Sequence, residues 1–236
     1  FHQQQLRRAI DNFQKGKLEL TLLKKVEDET AREIVKEQRE AGLDYVTDGQ
    51  VRWHDPISHL LNGANGVVIN GLLRFYDTNF YFRQPLITGK VSRHNPLLAN
   101  EFVTSGANKQ ALTGPYTLAK LSIDDHYKNL GKLVSDLAQL VSNEVAALAA
   151  AGCTLIQIEE PEICRNPKDF VLFEKSLKTI LKSKGGSKVT VGFYFVNANK
   201  ILAKTMKIPS LDGVVVDLTY TPLKKLATKE NYIVGL

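Results

Sequence analysis

Hydrophobic positions recur along this chain in two periods, one typical of helices and one typical of strands. Apolar residues spaced for one helix face run from Leu22 to Val35 and again from Leu130 to Leu148, and Gly42 and Gly152 end the two patterns. Short apolar runs alternate with such helical stretches. The six runs that we predict as strands cover residues 44–47, 111–114, 154–160, 189–195, 214–218 and 232–236.

Strands that alternate with helices predict a parallel sheet. The chain has 236 residues, which fits one α/β domain, so we predict a parallel (βα)8 TIM barrel spanning residues 1–236. Six strands are two fewer than a closed barrel needs, and both ends of the sequence look cut, so the first and last strands are expected to be missing. Residues 67–91 are rich in aromatic and β-branched side chains and predict a β-hairpin inserted on the barrel rim.

Composition narrows the possible partners. The chain carries 31 Lys and Arg against 25 Asp and Glu, a net charge of +6, but the lysines are scattered and no basic stretch is interleaved with aromatics. We therefore expect no nucleic-acid partner. No apolar run approaches the roughly 20 residues that span a bilayer, which predicts no membrane segment. With only two cysteines, Cys153 and Cys164, we expect buried free thiols in a cytoplasmic protein.

Candidate chemistry concentrates where the predicted strand of residues 154–160 ends. Glu159 and Glu160 close that strand, and side chains at the carboxyl end of a barrel strand face the usual position of an active site. The alternative is a pair of structural carboxylates. His54 and Asp55 could form an acid and base pair in a loop, although neighbours in sequence need not face each other. The segment 74–83 combines arginines with rings, which suits a flat anionic ligand or a hairpin packed on the rim.

Five motifs, in order along the chain, resemble the cobalamin-independent methionine synthases. They are Gln14-Lys-Gly-Lys17, Gln38-Arg-Glu-Ala-Gly-Leu-Asp-Tyr-Val-Thr-Asp-Gly49, Asp77-Thr-Asn79, Gly114-Pro-Tyr-Thr-Leu118 and Ile156-Gln-Ile-Glu-Glu-Pro161. Enzymes of that family have two barrels and move a methyl group from methyltetrahydrofolate polyglutamate to homocysteine. Two segments, 75–82 and 114–122, look most similar to the family's amino-terminal barrel, whereas residues 47–49 followed by Asp55 look more similar to its catalytic barrel.

The resemblance implies a zinc ion that turns the homocysteine thiol into a thiolate. The family's His and Cys ligands fall on Phe193 and Phe195 of this chain, and its Glu ligand falls on Asp217. Aromatic rings do not ligate zinc, and no His follows His126. The family's late Cys would fall beyond residue 236. We therefore expect no metal or other cofactor in this chain, and we expect zinc on a separate catalytic barrel.

Substrate contacts are also implied by the resemblance. The positions that hold the homocysteine amino group match Gln50 and Glu159, and a neutral amide is a weaker partner for an ammonium than a carboxylate. The folate-stacking Trp of the catalytic barrel is replaced by Leu121. The predicted substrate-binding residues are Gln50, Asp55, Glu159, Glu160 and Asp217. The predicted folate-binding residues are Arg7, Arg74 and Asn79.

Taken together, the resemblance implies that this protein acts in methyl transfer from methyltetrahydrofolate to homocysteine. Its expected role is that of a folate-binding or accessory barrel, closest to the amino-terminal type, working with a separate zinc-bearing catalytic barrel. Two other interpretations fit the same residues: a stand-alone methyltransferase with another methyl donor such as a corrinoid, and a non-catalytic structural partner. Whether the chain is an enzyme by itself stays open at this point.

Overall fold

A computed structural model describes residues 2–222 and 232–235 of the chain. Its α-helices are α1 His2–Gln14, α2 Leu20–Glu40, α3 Ser58–Leu61, α4 Leu98–Ser105, α5 Pro115–Leu121, α6 Leu130–Ala150, α7 Glu162–Arg165, α8 Phe170–Leu181 and α9 Asn199–Thr205. Its strands are β1 Asn65–Arg74, β2 Tyr81–Ser92, β3 Lys109–Thr113, β4 Ile123–Asp124, β5 Leu155–Glu159, β6 Lys188–Phe193, β7 Gly213–Val216 and β8 Ile233–Gly235. None of the helices in this part of the chain is long and apolar enough to cross a membrane.

Five strands form the main sheet, in the order β3-β5-β6-β7-β8, and every neighbouring pair is parallel. The predicted α/β class with a parallel sheet is therefore confirmed. In the described residues the sheet is open, with β3 and β8 at its edges. Paired residues point to the same face, so Gln157 and Thr190 share one face, and Ile158 and Val191 share the other. This alternation decides which strand residues can reach a ligand.

The long helix α6 covers one face of the sheet because its apolar stripe repeats at helical spacing. Leu137, Val141 and Val145 on this stripe are fully buried. The side chain of Asn129 accepts a hydrogen bond from the backbone N–H of Lys132 and caps the helix start. Both predicted helical stripes are thus helices, α2 and α6, with the expected ends near Gly42 and Gly152.

The predicted hairpin is present, with strands β1 and β2 paired antiparallel. It is longer than the predicted 67–91 by a few residues, since the two strands cover Asn65–Arg74 and Tyr81–Ser92. The short strand β4 pairs in parallel with β2 and was not predicted. Val91 of β2 donates its N–H to the hydroxyl of Tyr127, which ties the hairpin to the segment before α6.

One local prediction is wrong. Residues 44–47 form no strand: Val46 binds the backbone and side chain of Asn108 at the edge of β3, but the contact does not extend into a ladder. The predicted strand 232–236 contains β8, and residue 236 lies outside the described residues.

Candidate functional site

A cavity of about 300 Å³ lies at the carboxyl ends of β3, β5 and β6. One wall comes from these strand ends and the other from the loop after α2 and from the hairpin. The lining residues are Gln50, Trp53, Pro56, Phe75, Phe80, Leu112, Thr113, Glu159, Tyr194 and Phe195. Two predicted site residues, Gln50 and Glu159, are therefore brought together. This is the position at which parallel α/β folds bind their ligands.

Glu159 is the one charged residue among those that line the cavity. Its Oε1 accepts a hydrogen bond of 2.5 Å from Gln157 Nε2, whereas its buried Oε2 has no hydrogen-bond partner in the described residues. A Cβ atom on Gly192 of the neighbouring strand would overlap Oε2, so glycine leaves the space that this carboxylate occupies. A buried acceptor without a partner costs about 1–3 kcal/mol. The site therefore favours a ligand that donates to Glu159 or carries positive charge.

Burial raises the pKa of the Glu159 carboxyl to about 7. The hydrogen bond from Gln157 and the nearby charge of Lys109 act in the opposite direction. The folded protein thus keeps a proton on Glu159 at pH values where the unfolded chain has lost it. A cationic ligand would stabilise the ionised form and release that proton.

Glu160 points away from the cavity, although it is adjacent in sequence. Its carboxylate accepts the backbone N–H groups of Tyr116 at 3.0 Å and Thr117 at 2.7 Å, at the start of α5. A Cβ on Gly114 would overlap this carboxylate, so the residue before α5 has to be a glycine. Burial raises the pKa of Glu160 to about 7, and the two N–H donors lower it in part. The structure thus shows a structural contact of Glu160 with the start of α5, and its predicted substrate contact stays a prediction.

Asp55 also has a structural role and lies outside the cavity lining. Its carboxylate accepts the N–H groups of Ile57, Ser58 and Arg83 and the hydroxyl of Ser58. These donors join the loop before α3 to strand β2 of the hairpin. Protein donors occupy both of its oxygens, and its predicted substrate contact stays a prediction. His54 makes no hydrogen bond to Asp55 in the described residues, so the acid and base pair is not formed.

Asp217 holds the turn that places Phe195 in the cavity wall. Its carboxylate accepts the N–H groups of Phe195 at 3.3 Å and Thr219 at 2.9 Å. Phe195 has a left-handed backbone with φ of +59°, which is strained for a residue with a side chain. Asp217 thus acts through Phe195, and its carboxylate is not among the cavity-lining groups.

The predicted folate-binding residues are divided between two places. Arg74 and Asn79 meet at the tip of the hairpin, where Arg74 Nη2 lies 3.5 Å from Asn79 Oδ1 and its Nε donates to the carbonyl of Thr78. Arg7 lies on α1, which packs on α2. All three side chains are exposed. The adjacent residue Phe75 lines the cavity, so the Arg74 site borders the cavity on its hairpin side.

The zinc ligands expected from the family resemblance do not fit this chain. Phe193 is 1% exposed and packs toward Phe173 of α8, with ring centroids 6.3 Å apart, so it faces the helices rather than the cavity. Phe195 lines the cavity with an aromatic ring, and Asp217 is engaged with backbone donors. Among the residues that the structure describes, no three His, Cys, Asp or Glu side chains form a metal-binding group.

Sequence reasoning missed the aromatic character of the cavity. Trp53, Phe75, Phe80, Tyr194 and Phe195 come from three separate parts of the chain and line the cavity together with Glu159. The aromatic segment 74–83 was a signal for two of these rings, Phe75 and Phe80. Nothing in the sequence indicated that they meet the rings after β6.

The raised pKa of Glu159 predicts a pH dependence of stability. Its carboxyl shifts from an ordinary value of 4.5 to about 7 in the folded protein. The free energy of unfolding should therefore fall as pH rises through this range and level off above it, since the unfolded chain ionises first. Glu159→Gln removes this loss, so the variant should gain about 1–3 kcal/mol over wild type between about pH 5 and about pH 8. Urea unfolding at both pH values tests this, with the partly exposed Glu174→Gln as control. Parallel pH curves for wild type and Glu159→Gln would contradict it.

Comparison with known proteins identifies the family of this chain. Residues 2–202 match the family described as "Cobalamin-independent synthase, Catalytic domain", so the chain belongs to that family. It is 28% identical over 229 residues to methionine synthase of Sulfolobus acidocaldarius, covering 93% of this chain and 66% of the relative. It is 32% identical over 164 residues to methionine synthase of Sulfurisphaera tokodaii, covering 67% of this chain and 48% of the relative.

The same fold occurs in solved structures. The B12-independent methionine synthase from Shewanella sp. W3-18-1, solved in complex with selenomethionine, superposes with a TM-score of 0.75 at 21% identity, covering 84% of this chain and 65% of that chain. A putative B12-independent methionine synthase from Listeria monocytogenes gives 0.71 at 20% identity, covering 89% of this chain and 67% of that chain. These matches establish a shared fold.

The predicted family is confirmed. The matching description is that of the catalytic domain, which does not agree with the prediction that the chain is closest to the amino-terminal barrel. The chain spans about two thirds or less of the length of the curated relatives given above.

Proposed function

We propose that this chain takes part in methyl transfer in methionine synthesis. It would bind the amino acid of that reaction, homocysteine or methionine, in the cavity at Glu159. The observation that carries the proposal is the buried Oε2 of Glu159, an acceptor without a partner in the described residues at the end of an aromatic cavity. An amino-acid ammonium would donate to this oxygen, and an apolar thioether or thiol side chain would lie against the rings. The selenomethionine complex of the Shewanella relative is consistent with an amino-acid ligand.

The proposal assigns the zinc-dependent activation of the thiol to a separate barrel. The residues at the expected zinc-ligand positions support this assignment. Phe193 and Phe195 occupy the positions where the family resemblance places two zinc ligands, and Asp217, at the third, holds a backbone turn. The part of this chain that we describe would bind and orient the amino acid and shield it from water. The two cysteines are buried as free thiols, which fits the proposed cytoplasmic location.

Metal analysis combined with a methylation assay tests this division of labour. We expect the purified chain to contain less than stoichiometric zinc and to methylate homocysteine only when a zinc-bearing partner barrel is added, because its matched positions lack soft ligands. The assay compares the chain alone, the partner alone and the mixture, with methyltetrahydrofolate polyglutamate as donor. Stoichiometric zinc together with full activity of the chain alone would overturn the accessory role.

Folate binding at the hairpin tip is a further part of the proposal. Arg74 is exposed beside the amide of Asn79, a combination that suits the carboxylates of a polyglutamate tail. Binding of methyltetrahydrofolate polyglutamate should weaken with salt, since exposed charges are screened beyond about 8 Å at physiological ionic strength. Arg74→Ala should reduce both the affinity and its salt dependence, whereas Arg8→Ala should change neither. Calorimetry at low and high salt measures this, and an unchanged affinity in Arg74→Ala would exclude the site.

A further inference from the structure

The rings of the cavity meet at steep angles and form a partial cage. Phe195 is the common member: its ring lies 6.2 Å from Phe75 at 79° and 5.0 Å from Tyr194 at 86°. Trp53 and Phe80 complete the aromatic lining. Five aromatic rings thus line the cavity together with the one carboxylate, that of Glu159.

Backbone strain is located at the same rings. Phe195 has φ of +59° and Tyr76, whose ring centroid lies 5.8 Å from that of Phe195, has φ of +53°. A left-handed backbone at a bulky aromatic residue is an energetic cost that persists only when surrounding contacts enforce it. Asp217 supplies one such contact by accepting the N–H of Phe195. The fold therefore maintains strain in order to keep an aromatic ring in the cavity wall.

The charge of the cavity has one sign. Glu159 supplies a carboxylate, and the other nine lining residues are neutral. The face of an aromatic ring carries negative electrostatic potential, which attracts a cation and repels an anion. A thiolate in this cavity would lie among aromatic rings and beside a carboxylate, without a metal-binding group among the described residues to offset its charge.

We propose that this cavity selects an amino acid whose side chain ends in a methylated onium group, such as a sulfonium, over the neutral thioether. The inference rests on the proposed function, since it assumes that an amino acid binds at Glu159. The methyl groups of a sulfonium would lie against the rings while Glu159 holds the ammonium, and the net positive charge of such an amino acid would match the negative charge of that carboxylate. Aromatic cages of this kind recognise quaternary ammonium groups for the same reason. A sulfonium amino acid is also a chemically competent methyl donor class.

Calorimetric titration of the chain with three ligands tests the proposal. S-methyl-L-methionine carries the sulfonium, L-methionine is its neutral thioether, and L-norleucine replaces the sulfur by a methylene. We expect S-methyl-L-methionine to bind at least about tenfold more tightly than L-methionine, and L-norleucine to resemble L-methionine. The comparison uses the wild-type chain, so it does not depend on the folding of a variant.

A ring variant locates the preference. Phe195→Leu keeps an apolar side chain and removes the ring, so it should weaken binding of S-methyl-L-methionine about tenfold more than binding of L-methionine. Phe170→Leu, which alters a ring outside the cavity lining, is the matched control. Equal or tighter binding of L-methionine, or an undiminished preference in Phe195→Leu, would overturn the onium inference and leave the proposed function intact. Absence of binding by all three ligands would overturn both.

Discussion

Glu160→Ala is expected to lower the free energy of unfolding by about 3 kcal/mol. Glu160 is 1% exposed, and its carboxylate accepts the N–H groups of Tyr116 and Thr117. Alanine leaves both donors buried without an acceptor, and each unsatisfied group costs about 1–3 kcal/mol, offset in part because a desolvated carboxylate is also removed. Urea unfolding at neutral pH measures the loss.

Two further variants serve as comparisons for Glu160→Ala. Glu160→Gln keeps one carbonyl acceptor and should lose less stability than Glu160→Ala. Glu174→Ala removes a surface carboxylate that pairs with Lys178 across one helical turn, and it should change stability by no more than about 0.5 kcal/mol. If Glu160→Ala were as stable as Glu174→Ala, the carboxylate could not be what holds the start of α5, and its assignment to the ligand site would have to be reconsidered.

Glu159→Gln is expected to have the largest effect on ligand binding and to weaken binding of L-methionine by about thirtyfold, because a charge-assisted hydrogen bond contributes about 1.5–3 kcal/mol. The amide keeps the size of the side chain and its hydrogen bond with Gln157 in one orientation. It loses the negative charge that an ammonium needs in a cavity without another charged lining residue. Gly192→Ala should give a similar loss with the charge retained, since its Cβ would displace the carboxylate.

The sequence predicted the elements whose signals are local. The stripe from Leu130 to Leu148 repeats at helical spacing and became α6, and the apolar run before Glu159 became β5. The position of Glu159 at a ligand cavity followed from the same run, because parallel strands present their carboxyl ends at one edge of the sheet. Family motifs located Gln50 beside it. These inferences needed only periodicity and strand direction.

The remaining features depend on contacts between distant parts of the chain. Adjacent strand residues point to opposite faces, so Glu159 and Glu160 have different surroundings, and only the fold reveals that Glu160 meets the start of α5. Asp55 is occupied because the hairpin brings Arg83 N–H to it. Residues 44–47 carry a strand-like pattern, but their hydrogen bonds with Asn108 and Lys109 do not extend into a ladder. At residues 44–47, tertiary contacts override the local strand propensity.

The aromatic wall was unpredictable for the same reason. Phe75 and Phe80 lie on the hairpin, whereas Tyr194 and Phe195 follow β6, and more than a hundred residues separate the two pairs. Phe195 has a left-handed backbone, a conformation that glycine ordinarily adopts. A phenylalanine in the sequence therefore gives no sign of it. Its position in the wall is decided by the turn that Asp217 holds.

Calorimetric titration of L-methionine into the wild-type chain and into Glu159→Gln, at about pH 8, where the carboxylate is ionised, tests the central claim most directly. We predict one saturable site per chain in the wild type and an affinity lower by about thirtyfold in the variant, with circular dichroism showing that both are folded. Binding of equal affinity in the two proteins, or no binding in the wild type, would contradict the assignment of Glu159 as the group that holds the amino acid.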